Sequence, residues 1–432
     1  MPKLQNSNRT SEKALVSDIS ALSVLQNINW DFSHKAIVSP NETGPFNCRK
    51  YHSFPGTFIP EIPFTLIEVL SLPEATIFDP FSGIGTTYFQ ALTLNRIPLV
   101  TEICTVAFNI SKSMYVLFNP KINLDYLRIQ LFAAIGRYDE TTDYSNALSD
   151  SSININKLRP WYDQESFNKI CFLCSIYCDD ESLEIRALCM IVISSILKTV
   201  SSQDRGWGCV ADNMLPTSEQ IEKTKEKISK QNRDVFSVFK KSANILVNDL
   251  LSHKRLAEPN YKNLYSMIEN KQTIFQSDIR EANFIQDHTV DMIITSPPYP
   301  NMIDYVTSQR LSYYFLGADI PLDTKREIGA RNRRKRKDSL DKYVQDMNIA
   351  NKVMIDKLKI GGYACFVMPA FNEDNKKNLE RKIIMETIMS KFEELGLSLI
   401  FEFTRCVSNK RRDHNSKWTS LEQEKILIYK KG

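Results

Sequence analysis

The chain carries little excess charge: 55 lysines and arginines stand against 51 aspartates and glutamates, a net charge of +4. So small an excess does not by itself mark a nucleic-acid binder, and the distribution of charge matters more. No run approaches the roughly 18 apolar residues that a membrane helix needs. Met1–Lys13 is polar and lacks the apolar core of a secretory signal. The nine cysteines are an odd number, which suits free thiols in a reducing compartment, so a cytoplasmic location is expected. None of the five histidines falls near Cys171, Cys174, Cys178 and Cys189. These four sit on an apolar stretch with helical spacing, and zinc sites usually combine two ligand pairs. They read as buried thiols of a core helix, and no metal is expected. There is no internal repeat and no low-complexity tract.

With 432 residues, 42% of them hydrophobic, the chain is long enough for a large domain with an insertion, or for two domains. Residues 1–45 are polar and read as a loosely ordered lead-in. In 46–120 a short strand at Ala75–Phe78, a helix at Thr86–Leu94 and a strand at Pro98–Glu102 form a β-α-β unit. Residues 121–265 change character: helical patterns at Ser166–Tyr177, Leu183–Thr199 and Ser218–Leu251 dominate, and Glu219–Arg233 reads as an exposed charged helix. In 266–432 strands return at Thr273–Phe275, Met292–Thr295 and Ala364–Met368, the last after a Gly361-Gly362 turn. Asp341–Leu358 is an amphipathic helix, and Ser398–Cys406 with Glu424–Lys430 forms a closing antiparallel pair. The expected fold is a Rossmann-like α/β sheet with a closing hairpin, interrupted by a mainly helical insertion.

Two segments carry chemistry. In Phe78-Asp79-Pro80-Phe81-Ser82-Gly83-Ile84-Gly85-Thr86-Thr87, a strand meets a helix through a glycine-containing turn. Gly83 and Gly85 allow tight turning and close approach to a ligand. The helix that begins near Thr86 offers free N–H groups, and Asp79 ends its strand where a ligand's amine could be met. Glu102 ends the next strand, about 20 residues on, where Rossmann-like folds hold ribose hydroxyls with a carboxylate. A plain strand–helix turn is the alternative, since the spacing is not that of a Gly-x-Gly-x-x-Gly loop.

The second segment, Val290–Thr295 followed by Ser296-Pro297-Pro298-Tyr299, is an apolar strand that runs into a stiff turn. Two prolines fix φ and remove two donors, which leaves an acceptor-rich backbone beside a hydroxyl and an aromatic ring. The exocyclic amine of cytosine or adenine is a poor nucleophile, because its lone pair is delocalised into the ring. Ser296 and the Pro297 carbonyl are suited to accept its two hydrogens, and Tyr299 to stack on a base flipped out of the duplex. A merely structural Pro-Pro turn is the plain alternative.

Asp79–Thr87 resembles the cofactor motif Asp-Pro-Phe-x-Gly-x-Gly-Thr of the DNA amino-methyltransferases, and Thr295–Tyr299 resembles their catalytic motif. The resemblance covers roughly residues 50–110 and 270–432. It implies S-adenosyl-L-methionine as methyl donor, a target amine on a base of double-stranded DNA, and no metal. It implies cofactor contacts at Asp79, Pro80, Phe81, Gly83, Gly85, Thr86, Thr87 and Glu102. It also implies them at Phe54, Pro55 and Phe58, which look like the element that covers the methionine end, and at Asp278, the acidic position near the adenine. The catalytic set would be Ser296, Pro297, Pro298 and Tyr299. Serine in first place is the form seen in cytosine-N4 enzymes; adenine-N6 enzymes more often carry aspartate or asparagine there. Methylation of cytosine carbon 5 needs a cysteine nucleophile, usually after proline, and the chain has no Pro-Cys pair.

The cofactor half precedes the catalytic half, so the helical insertion falls where one group of the family carries its target recognition region. Arg205 and Trp207 there, and Arg331, Arg333, Arg334, Lys335, Arg336, Lys410 and Arg411 later, are candidate DNA contacts. Arg159-Pro160-Trp161-Tyr162 suits base contact or, equally, a tryptophan packed between helices. The expectation is a site-specific cytosine-N4 DNA methyltransferase of a restriction-modification or defence system, possibly beside a separate endonuclease. Adenine-N6 methylation, RNA base methylation and a non-catalytic DNA-binding subunit are the alternatives.

Overall fold

A computed structural model of the chain describes residues 20–32, 45–202, 215–223, 234–256, 260–371, 373, 376–407 and 422–432. Seven strands form one sheet in the order β3-β2-β1-β4-β5-β7-β6. They are β1 (Thr76–Asp79), β2 (Ile97–Glu102), β3 (Ile274–Gln276), β4 (Val290–Thr295), β5 (Leu358–Ala370), β6 (Leu397–Cys406) and β7 (Gln423–Lys431). The first five run parallel. β7 runs antiparallel between β5 and β6, so the expected closing pair is present. The Rossmann-like architecture is borne out.

Strict alternation shows why the sheet is buried on both faces. Met292, Ile294, Cys365, Val367, Ile426 and Ile428 face one core. Ile293, Ala364, Phe366, Met368, Leu427 and Tyr429 face the other. Helix α1 (Glu61–Leu70) covers the first face, together with Leu25, Ile28 and Trp30. Trp30 is fully buried against Phe401 and Phe403. The described part of the lead-in is therefore packed, helical at 20–26, contrary to the loose segment expected from its polarity. Three buried apolar side chains, Leu25, Ile28 and Trp30, dock it.

Helices α2 (Thr86–Thr93) and α3 (Thr105–Phe118) join β1 to β2 and leave β2. The long β2–β3 crossover continues through α4 (Leu124–Ile135), α5 (Gln164–Asp179), α6 (Leu183–Leu197), α7 (Val235–Leu256) and α8 (Asn260–Ile268). Asn123, Asp163 and Ser182 cap α4, α5 and α6 by accepting from the backbone N–H of the third residue of each helix. These helices share one continuous core with Ile84, Tyr88 and Phe89 of the cofactor half and with Val306, Leu311 and Tyr313 of the catalytic half. The helical region thus packs onto the α/β body rather than around a core of its own. Cys171, Cys174 and Cys189 are buried in it and Cys178 is half-buried. The 219–223 part of the expected charged helix is helical and mostly exposed; 224–233 lies outside the described residues.

After β4 come three short helices, α9 (Tyr305–Ser308), α10 (Arg310–Leu316) and α11 (Ile320–Arg326), then α12 (Ser339–Lys357) and α13 (Lys376–Glu394). The Gly361-Gly362 turn is corrected: both glycines lie within β5. Val290 pairs with Leu358 and Met292 with Tyr363, so the intervening residues bulge out of the ladder. Among the described residues no helix is long and apolar enough to cross a membrane.

Candidate active site

β1 and β4 are neighbours, yet the chain leaves β1 toward β2 and β3 and leaves β4 toward β5. This is the point where strand order reverses, and open parallel sheets bind ligands outside the carboxyl ends of their strands there. The two segments singled out in the sequence meet at this point. One cavity is lined by Phe54, Pro55 and Phe58, by Pro80, Phe81, Gly83 and Thr86, by Glu102 and Asp278, and by Ser296 and Pro298.

Three residues expected at the ligand do other work. Asp79 is fully buried. Its carboxylate accepts from the Thr87 hydroxyl at 2.7 Å, the Thr295 hydroxyl at 2.7 Å and the Phe81 amide at 3.1 Å. Burial lifts its pKa to about 6 despite those bonds. Asp79 and Thr87 therefore form the bracket that joins the glycine turn to the end of β4, and neither lines the cavity. Gly85 caps α2 at φ 88°, and a Cβ there would lie 2.8 Å from the Phe89 ring. It serves the turn and its packing, not ligand approach.

Gly83 does face the cavity: a Cβ on it would meet the Phe54 ring at 3.5 Å. Its amide donates to Glu102 at 2.7 Å, and the Cys104 amide donates to the other Glu102 oxygen at 2.8 Å. Burial raises Glu102 to about 7 against these two donors. Asp278 caps a short turn and is paired with Arg280, whose Nη2 lies 2.5 Å away and whose Nη1 reaches Asp346 at 2.6 Å. Residues 305–328 wall the cavity with Tyr305, Val306, Arg326, Glu327 and Ile328. Buried Asp323 anchors this segment by accepting from Thr105 and from the Tyr313 hydroxyl, the latter at 2.6 Å. These residues, like Gly56, Thr57 and Ile103, went unread in the sequence because no strand–turn spacing marks them; Ser82 also lines the cavity, from within the glycine turn.

In the catalytic turn Ser296 is half-exposed and Tyr299 is buried. The Ser296 hydroxyl donates to the Tyr299 hydroxyl at 3.4 Å, which in turn donates to Glu424 at 3.4 Å. Arg405 holds Glu424 at 2.8 Å. Burial and the Glu424 charge push Tyr299 well above the usual phenol range. Tyr299 is thus tethered inward, not offered as the open stacking platform expected. The Pro298 carbonyl accepts from Tyr343 at 2.9 Å, which fixes the turn on α12.

A separate groove between residues 148–157 and 307–336 shares the 305–328 segment as a wall and is edged by Lys157, Arg310, Lys325 and Arg336. Arg334, Lys335 and Arg336 are exposed. Arg333 is corrected as a DNA contact: its guanidinium donates to the carbonyls of Thr324, Lys325 and Glu327, at 2.7, 2.9 and 3.2 Å, and clamps the loop. Trp161 is buried, Tyr162 donates to the Leu197 carbonyl, and Arg159 stacks on Phe167, so that cluster is packing. Arg205, Trp207, Lys410 and Arg411 lie outside the described residues.

No family model matches the chain. Two curated proteins are similar to it. The type II methyltransferase M.BsoBI of Geobacillus stearothermophilus is 26% identical over 275 residues, covering 61% of this chain and 51% of that protein. The type II methyltransferase M.MjaII of Methanocaldococcus jannaschii is 21% identical, covering 92% of this chain and 84% of that protein. The chain is similar, at modest identity, to these two type II methyltransferases. The match spans about half the length of the first relative and most of the second. The family resemblance carried by Asp79–Thr87 and Thr295–Tyr299 is thereby borne out.

The donor set of the cavity fits S-adenosyl-L-methionine. Two carboxylates, Glu102 and Asp278, suit hydroxyl and amine donors, aromatic Phe81 suits a flat purine, and apolar Phe54 and Phe58 suit the methionine end. Thr86 and Glu327 line the cavity, and each carries a buried oxygen, Thr86 Oγ1 and Glu327 Oε2, with no hydrogen-bond partner among the described residues. Buried polar atoms are seldom left so.

Proposed function

We propose that this protein is a DNA methyltransferase that moves a methyl group from S-adenosyl-L-methionine to the exocyclic N4 of a cytosine flipped out of double-stranded DNA. The observation that carries the reading is the meeting of Ser296 with Gly83 and Glu102 at one cavity, at the switch point of the sheet.

The bound cofactor would supply an electrophilic methyl group on a sulfonium. Glu102 and Asp278 would accept from its ribose and adenine donors, and Phe54, Pro55 and Phe58 would cover its methionine end. Ser296 Oγ and the Pro297 carbonyl would accept hydrogen bonds from the two amine N–H groups, draw the nitrogen toward sp³ geometry and orient its lone pair; as the N–C bond forms and the sulfonium C–S bond breaks, one amine proton would leave to solvent along the Ser296 hydrogen bond. Tyr299, tethered to Glu424, would hold the Ser296 hydroxyl and edge the base pocket.

The helical insertion would serve target recognition, with Arg331, Arg334, Lys335 and Arg336 meeting phosphates. The type II relatives favour a role in restriction-modification, with any cognate endonuclease acting separately in the cytoplasm. Ser296 favours cytosine; adenine N6 is the second reading, because both amines present the same pair of donors. Methylated DNA digested to nucleosides and resolved by mass should contain N4-methylcytosine, and N6-methyladenine in its place would overturn the choice of base. Ser296→Ala should lower turnover at least about tenfold, the loss of one well-placed acceptor, while cofactor binding stays within about twofold. Unchanged turnover would remove Ser296 from the chemistry.

A further inference from the structure

Glu327 stands apart from the acids already assigned. It follows α11 on the segment that walls the cavity and is 2% exposed. One oxygen, Oε1, accepts from the Val306 amide at 3.0 Å. The other, Oε2, is buried with no hydrogen-bond partner among the described residues, and the Tyr305 amide adds a weaker backbone interaction with the carboxylate. The nearest charges are Asp304, which repels it, and Arg333, whose guanidinium is spent on backbone carbonyls, one of them that of Glu327 itself. Tyr305 lies between Glu327 and Glu102, feels both, and stacks over Phe54. Three acids, Glu102, Asp278 and Glu327, therefore share one cavity with Arg326, and among the described residues Glu102 and Glu327 have no cationic side chain as direct hydrogen-bond partner, whereas Asp278 has Arg280.

A carboxyl in that position is costly to keep half-satisfied. If its only duty were to accept from Val306, an amide would serve as well. Glu327 lines the same cavity as Thr86, whose hydroxyl is likewise buried without a partner among the described residues. We propose that Glu327 is a cofactor-binding carboxylate whose second oxygen receives a donor of S-adenosyl-L-methionine, and whose charge makes the cavity prefer this cationic donor over the product, which has lost the sulfonium charge. The inference rests on the cofactor reading above and adds a residue and a discrimination that the reading does not contain. Opposite charge within a poorly hydrated cavity acts on the methylated and demethylated forms unequally, whereas hydrogen bonds and aromatic contacts act on both alike.

The experiment is calorimetric titration of the full chain, without DNA and at pH 8, above the value of about 7 to which burial lifts Glu327, with S-adenosyl-L-methionine and separately with S-adenosyl-L-homocysteine. Wild type is compared with Glu327→Gln, which keeps the shape and the Val306 bond, and with Glu327→Asp, which keeps the charge. Glu327→Gln should weaken the methyl donor about tenfold or more and the product by less than about threefold, the asymmetry expected of one lost charge. Glu327→Asp should retain more of the preference than Glu327→Gln. Ligand-free melting separates loss of fold from loss of charge. An equal fall for both ligands, or an unchanged ratio in both variants, overturns the assignment while leaving the cofactor reading standing. Failure of wild type to bind either ligand overturns both.

Discussion

Replacing Asp79 by alanine discriminates between the ligand role that its position in the sequence suggests and the bracket seen in the fold. The substitution removes the acceptor of three buried donors: the hydroxyls of Thr87 and Thr295 and the amide of Phe81. Three such bonds and the donors they would orphan amount to about 3–5 kcal/mol. An opposing effect depends on pH. The folded pKa is about 6 against an ordinary 3.8, so ionising the buried carboxyl costs roughly 3 kcal/mol at neutral pH. Because the folded value is raised, the wild-type contribution is fully present below about pH 4 and is lost as pH rises through 6. Alanine has nothing to ionise. The variant should therefore trail wild type most in acid, and the gap should narrow by about 2 kcal/mol between pH 4.5 and 7.5. In melting temperature that is about 2 °C for a chain of 432 residues. Thermal melts of both proteins at the two pH values, without ligand, measure it; all other titrating groups are common to both and cancel. A constant gap, or one that widens toward neutral pH, would refute the reasoning. So would unchanged melting accompanied by lost cofactor affinity, which is what a direct ligand would give.

Glu102→Gln should weaken cofactor binding and flatten its pH dependence. Glu102 titrates near 7 and binds ribose hydroxyls best when ionised, so wild-type affinity should rise from pH 6 to 8 by up to about tenfold; parallel pH profiles for the two proteins would contradict this. Replacing Arg334, Lys335 and Arg336 with glutamine should weaken DNA binding and make its salt dependence shallower by about 0.9 per lost phosphate contact. Arg333→Gln should instead lower melting temperature, because its three bonds are to the protein's own carbonyls; filter binding at several salt concentrations and a melt separate the two effects. Gly317→Ala should destabilise the packing of residues 148–157 on α10: φ is +61° and the added Cβ would lie 1.8 Å from the Ser152 carbonyl oxygen. Limited proteolysis should then cut near residues 148–157 sooner, and a wild-type cleavage pattern would count against that packing.

What the sequence alone determined is whatever depends on short spacing. Strand periodicity gave β1, β2, β4, β6 and β7 to within two residues, and the long helices α5, α6 and α12 nearly so, because alternation and 3.6-residue repeats are local properties. The turns 79–87 and 295–299 were legible for the same reason: prolines, glycines and an acidic strand end stand within ten residues. What only the tertiary structure decided is which side chains face the ligand and which face each other. Asp79 looked like a ligand because it ends a strand beside a glycine turn. It is a bracket because the parallel pairing of β1 with β4 sets Thr295 against it, 216 residues away in the chain. Arg333 looked like its basic neighbours, yet only the loop's return past Thr324–Glu327 supplies the carbonyls that hold it. Trp30 was hidden in a polar segment, because its burial depends on β6, some 370 residues further on. Glu327 carries no spacing signal at all. Its place in the cavity follows from the anchoring of the 305–328 segment by Asp323 to Thr105, a contact between distant parts of the chain that the fold alone brings together.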